Sequence, residues 1–209
     1  MYDKIFKLSF SEHGFLDRTI YKYLTHPVID YAKKNNYTPN YLTTCSFFFQ
    51  GLGVVFLAYD YRWNYTFFYM LGYYFDSIDG PMARKYDMVS TLGDWYDHAS
   101  DMLCFLMANY ILIADYHLLS HTLLLLIYLF QMCGLLLYTG CQEQIYNKYL
   151  KNELGQRGEN QVSQSLLITT FFINKPSPEI RLQYLKPFCI TNSLFFFSLL
   201  PHFIVLTQA

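Results

Sequence analysis

The segment His117–Tyr138, HLLSHTLLLLIYLFQMCGLLLY, carries no Asp, Glu, Lys or Arg. A helix that crosses a bilayer needs about 20 mostly apolar residues, and this run has that length. Four other stretches follow the same rule. Tyr41–Tyr59 qualifies with a single Gln inside. Trp63–Ile78 qualifies up to its acidic end, Asp94–Ile113 begins acidic and turns apolar, and Pro187–Leu206 is apolar with a kink point at Pro201. Leu166–Ile173 is too short to span, although Gln161–Lys175 suits a helix packed inside a bundle. The expectation is an all-α fold: a polytopic membrane helical bundle of five to six transmembrane helices. Composition agrees, since only 15% of the 209 residues are charged against about 25% in soluble domains. The mean hydropathy of +0.13 is modest for such a chain. The 21 Tyr account for this, because they score as polar yet suit bilayer interfaces. A net charge of −1 argues against a nucleic-acid partner. The five cysteines include no CxxC pair and read as membrane-packed thiols, not a disulfide or zinc framework.

Residues 1–39 form a separate cytoplasmic and interfacial segment ahead of a membrane domain over 40–209. The opening MYDKIFKLSFSEHGF lacks the apolar core of a cleavable signal, so insertion depends on internal spans. Phe15–Lys34 mixes apolar and charged residues, with Leu16, Ile20, Tyr23 and Leu24 at helical spacing. This predicts an interfacial amphipathic helix interrupted near Pro27. Lys4, Lys7, Arg18, Lys22, Lys33 and Lys34 precede the first span, Arg84 and Lys85 follow the second, and Lys148, Lys151 and Arg157 lie in Gly140–Ser165. Cytoplasmic loops are enriched in Lys and Arg, which puts these three segments on the cytoplasmic side. Lys175, Arg181 and Lys186 fit that side too, against a sixth span.

Between the second and third spans runs FDSIDGPMARKYDMVSTLGDWYDHASD, from Phe75 to Asp101. An aspartate near a bilayer core costs about 2.5–3.5 kcal/mol on insertion scales. Asp76 and Asp79 are three residues apart at the end of one span, and Asp97 and Asp101 four apart at the start of the next, so each pair shares a helix face. The short turn between the spans makes them antiparallel neighbours, and the pairs converge at one depth near the cytoplasmic interface. Four facing carboxylates repel one another. Protonation relieves them, and so do cations. Hard divalent ions take oxygen ligands and share them with phosphates, and a two-metal carboxylate site beside a basic residue suits phosphoryl transfer. Gly80 admits a ligand close to the backbone, Ala83 keeps the next turn open, Gly93 leaves room between helices, and Arg84 offers a cation to phosphate.

The pattern Asp79-Gly80-x-x-Ala83-Arg84, eight residues, then Gly93-x-x-x-Asp97-x-x-x-Asp101, with Asp76 three residues ahead, resembles the signature of the CDP-alcohol phosphotransferase family. The resemblance implies a six-helix bundle, usually a homodimer, whose substrates are a CDP-linked lipid or alcohol and a membrane lipid. Such a protein is an integral, multi-pass membrane enzyme of phospholipid synthesis with its active site at the cytoplasmic interface. It transfers a substituted phosphoryl group to an alcohol and releases CMP. The resemblance further implies two divalent cations, Mg²⁺ or Mn²⁺, on Asp76, Asp79, Asp97 and Asp101, with Asp97 and Asp101 catalytic and Asp101 the candidate base. It places CDP against Asp79, Gly80, Ala83, Arg84 and Gly93.

Pro39-Asn40-Tyr41-Leu42-Thr43 resembles the family's Pro-Asn-x-x-Thr opening, so Asn40 and Thr43 are candidate nucleotide contacts. The same residues also read as helix-start chemistry, with Thr38 as cap. Asp94 reads as a solvated or capping residue at the helix N-terminus, His98 as a packing or hydrogen-bonding group, and His117 with His121 as lacking the further ligands that zinc needs. Chain length favours phosphatidyl transfer from CDP-diacylglycerol. Leu92-Gly93, Asp97-His98 and the absence of Arg after Thr43 favour the alternative, phosphocholine or phosphoethanolamine transfer to diacylglycerol. A cation channel or transporter is the rival of another class, but its acids spread through the membrane depth, whereas these cluster at one interface.

Overall fold

The computed structural model describes residue 13, residues 19–154 and residues 177–206. Every regular element among them is helical. They fall into two compact units: the described residues of Thr19–Tyr128 with Leu194–Ala209, and those of Met1–Arg18 with Leu129–Ser193.

In the first unit a π-helical turn, Tyr21–Thr25, runs directly into α1 (His26–Lys34). Pro27 has no N–H to give and its ring crowds the preceding turn. The wider π turn absorbs that strain, and the Thr25 hydroxyl donates to the Ile20 carbonyl at 3.4 Å. The expected interruption at Pro27 is therefore a widened turn and not a break. Ile29 and Ala32 are buried and pack with Leu42, Ile78 and Met82. Tyr23, Leu24 and Tyr31 remain exposed, as an interfacial helix requires of its lipid-facing side. Asp30 accepts hydrogen bonds from the Lys85 ammonium and, at 2.8 Å, from the Tyr86 hydroxyl. The Lys85 bond, seconded by Tyr86, holds the Asp30 carboxyl below its ordinary range.

Helix α2 (Pro39–Ala58) starts as its sequence predicts: Thr38 accepts from the Tyr41 N–H at 3.3 Å and Pro39 occupies the first turn. It packs closely on α3 (Arg62–Lys85) because two glycines leave the contact bare. A Cβ at Gly72 would lie 2.7 Å from the Gln50 nitrogen and 2.9 Å from the Ser46 carbonyl, and one at Gly53 3.0 Å from the Tyr69 nitrogen. Helix α4 (Thr91–Ala114) follows a turn in which Asp87 takes a left-handed conformation, φ 53°. Ser90 caps it by accepting the Gly93 N–H at 3.1 Å. Helices α3 and α4 each have 24 residues, about 36 Å of helix, enough for a hydrocarbon core of about 30 Å. Val54, Leu57, Tyr65, Ile111, Leu200 and Ile204 form a buried core with residues of α7 (Ile190–Leu206), inside which Pro201 is accommodated. Leu103, Leu106, Met107 and Tyr110 of α4 are exposed, an apolar face of the kind lipid covers.

In the second unit, Tyr138, Cys141 and Ile145 of α5 (Thr122–Leu154) pack with Leu182 of α6 (Pro178–Leu185) and with Cys189. Phe188 occupies the space left by Gly134, where a Cβ would lie 2.1 Å from its ring. Both ends of α5 differ from expectation. Helix α5 begins at Thr122, not at His117, because His117 is left-handed (φ 53°) and Leu118–Ser120 form a 3₁₀ turn. It also runs past Tyr138 to Leu154, since Gln142, Glu143, Gln144 and Lys148 are good helix formers. The doubtful segment Gln161–Lys175 lies outside the described residues. Among the described residues, three stretches are long and apolar enough to cross a membrane: Pro39–Ala58, Thr122–Tyr146 and Pro178–Leu206. The five cysteines are all free thiols.

Candidate metal centre

The α3–α4 hairpin carries the acids. Asp76 projects from α3, and Asp97 and Asp101 from successive turns of α4. One carboxylate oxygen of each lies within 4.8 Å of the other two. Asp79, one turn beyond Asp76, is 6% exposed and takes a neighbouring position. Its Oδ2 accepts from the Thr43 hydroxyl of α2 at 2.5 Å, and its carboxyl also adjoins that of Asp97. The difference between Asp76 and Asp79 is geometric, because residues three apart diverge by about 60° around a helix. Three expected acids thus form one group, and the fourth borders it through Asp97.

Asp97 Oδ1 is buried and has no hydrogen-bond partner. A buried carboxylate oxygen left without a donor is costly. The His98 imidazole stands 3.9 Å from Asp97 Oδ2, but its Nδ1 lies 2.8 Å from the Asp94 carbonyl. His98 is therefore held along its own helix, and the exposed Asp94 side chain belongs to the first turn of α4 while Ser90 supplies the cap. An all-oxygen donor set with an unsatisfied buried oxygen fits a hard divalent cation. Mutual repulsion of the carboxylates points the same way.

The surrounding residues come from three helices. The Arg84 guanidinium reaches back over Gly80, where a Cβ would stand 3.2 Å from its Nη1. Asn40 meets the first turn of α4, since a Cβ at Gly93 would lie 2.9 Å from Asn40 Oδ1. Ala83 is half-buried, and its carbonyl accepts the Met88 N–H at 2.8 Å as the turn begins. Asn40, Thr43, Gly80, Arg84 and Gly93 thus border the same end of the hairpin as the acids.

Two contacts escape a reading of the sequence. The Gln50 amide, 5% exposed in mid-α2, donates to Asp101 Oδ1 at 3.1 Å. The hydroxyls of Thr44 and Tyr96 lie 3.1 Å apart and link α2 to α4. A lone amide within an apolar span was the only sign of the first, and the second left none.

The family model described as CDP-alcohol phosphatidyltransferase matches residues 36–200. A protein of Aquifex aeolicus (strain VF5), described as uncharacterized, is 32% identical over 81 residues. That match covers 39% of this chain and 41% of the relative, so the chain spans less than half of the relative's length. No solved structure matches the chain.

Proposed function

We infer the reaction from a family relationship: the chain belongs to the CDP-alcohol phosphatidyltransferase family. That makes it a membrane-associated phosphotransferase of lipid synthesis, in a family that takes CDP-alcohol and lipid substrates and generally depends on divalent metals. We propose that the donor is CDP-diacylglycerol and that the phosphatidyl group passes to a small alcohol with release of CMP. The observation that carries metal-assisted phosphoryl transfer, whichever CDP-linked donor is used, is the approach of Asp76, Asp97 and Asp101 to within 4.8 Å.

In this reading Asp76, Asp79, Asp97 and Asp101 hold two divalent cations, Mg²⁺ or Mn²⁺. When bound, these supply positive charge to the pyrophosphate and to the oxygen leaving with CMP. Arg84 orients the phosphates as a planar donor, while Gly80 and Gly93 keep the backbone close to the nucleotide. Thr43 holds Asp79, and Asn40 contacts CDP from the start of α2. Asp101 accepts the proton of the acceptor hydroxyl as its oxygen attacks the phosphatidyl phosphorus. The new P–O bond replaces the bond to CMP, which departs with that electron pair. The distribution of Lys and Arg supports a multi-pass arrangement with this site at the cytoplasmic interface.

Transfer from CDP-choline or CDP-ethanolamine to diacylglycerol is a second reading, supported by Asp97-His98 and by the lack of Arg after Thr43. The test is CMP release by purified protein supplied separately with CDP-diacylglycerol plus a panel of alcohols, and with CDP-choline plus diacylglycerol. Wild type releases CMP with one donor in the presence of Mg²⁺ or Mn²⁺, and Asp101→Asn is slower by about 10²–10⁴-fold. Equal release by the two proteins removes Asp101 from the base role.

A further inference from the structure

We propose that Gln50 is a positioning residue for the metal centre, acting through Asp101. An amide in the middle of an apolar, membrane-length helix is costly unless its hydrogen bonds are made. Gln50 meets that cost with both hydrogens of its Nε2. One goes to Ser46 Oγ at 2.9 Å on its own helix, the other to Asp101 Oδ1 at 3.1 Å on α4. Reversing the amide would aim its oxygen at the carboxylate, so the Nε2 orientation is set by its partner.

A third helix accommodates the contact. Gly72 of α3 lies where a Cβ would come within 2.5 Å of Gln50 Cγ. Any side chain at position 72 would therefore contest the path by which Gln50 reaches α4. Gly72 is also one helical turn before Asp76, so the opening lies directly behind the carboxylate group. Gln50 engages Oδ1 of Asp101 and limits rotation of that carboxylate, which lies beside those of Asp76 and Asp97. Partners of this kind, behind the ligands themselves, typically change metal affinity or activity by about 10–100-fold.

The inference rests on the two-metal reading of the site, and the experiment separates the two. Full-length wild type, Gln50→Met and Gln50→Asn are purified in detergent. Mn²⁺ is titrated against thermal unfolding, and kcat and the donor KM for CMP release are measured at saturating Mn²⁺. Met matches Gln in shape without a donor. Asn keeps a buried amide but is one methylene short of Asp101. Both variants should show a Mn²⁺ midpoint raised about 10–100-fold, a reduced kcat and a donor KM close to wild type, on top of a fall in metal-free Tm from the lost donor to Asp101 and Ser46. Mn²⁺ midpoints and kcat within twofold of wild type in both variants overturn the proposal. So does a drop in metal-free Tm with an unshifted midpoint, which makes Gln50 a packing residue. Absence of Mn²⁺-dependent stabilisation in wild type refutes the metal centre itself, and this inference with it.

Discussion

Replacing Gly72 by Ala adds one methyl group at the tightest helix contact near the site. The new Cβ would lie 2.5 Å from Gln50 Cγ, 2.7 Å from the Gln50 nitrogen and 2.9 Å from the Ser46 carbonyl. Two of these atoms are backbone and cannot rotate away. To restore ordinary contacts of about 3.5 Å, α2 and α3 must separate by roughly 0.5–1 Å. Overpacking of this kind costs about 1–3 kcal/mol, which lowers Tm by about 2–4 °C per kcal/mol for a chain of this size. The same displacement moves Gln50 and Asp76 apart, and misplacement of about 1 Å can slow a reaction about 10²-fold. Gly51→Ala is the control: its Cβ meets nothing within 4 Å, and Ala in a helix interior is favoured over Gly by about 0.5–1 kcal/mol. Thermal unfolding and CMP release of both variants check this. Gly51→Ala unfolds at or above the wild-type temperature with unchanged turnover, while Gly72→Ala loses both stability and turnover. If Gly72→Ala matches Gly51→Ala in both assays, the close approach of α2 and α3 is refuted.

Thr43→Val removes the hydroxyl that donates to the buried Asp79 while keeping the side chain's shape. Leaving a buried carboxylate oxygen without its donor costs about 1–3 kcal/mol, read as a lower metal-free Tm, and Thr43→Ser restores it. Asp30→Asn tests the clasp between α1 and the end of α3. Because Lys85 and Tyr86 lower the Asp30 carboxyl in the fold, its stabilisation is fully present above the ordinary carboxylate value of about 3.9 and disappears as pH falls through the lowered one. At pH 7 and low salt the variant is therefore less stable by about 0.2–1 kcal/mol, as for an exposed ion pair. The two proteins converge in acid and at high salt, where Tm against pH is the measurement.

Local signals carried much of the fold. Thr38-Pro39 marks a helix start that depends only on nearby backbone N–H groups, and it is where the structure begins α2, whereas α4 begins after the Ser90 cap, ahead of the expected start at Asp94. The spacing of Asp97 and Asp101 likewise fixes one face of a helix without reference to any partner. Gln50 was legible only as an anomaly, because its partner lies 51 residues away on another helix. Gly72 reads in the sequence as one more small residue of an apolar span, and its purpose emerges only from the backbone facing it. The divergence of Asp79 toward Thr43 required knowing where α2 packs. The left-handed His117 was equally hidden, since an apolar run reads the same whether its first residues form a helix or a 3₁₀ turn.

The central claim is that the acids of α3 and α4 grip divalent ions that hold a nucleotide diphosphate. Anomalous X-ray scattering at the manganese edge, from crystals grown with Mn²⁺ and a CDP-linked substrate, tests it most directly. The expected result is two manganese peaks bounded by Asp76, Asp79, Asp97 and Asp101, with the pyrophosphate against them. Manganese bound elsewhere, or a bound nucleotide with no metal beside these four side chains, contradicts it.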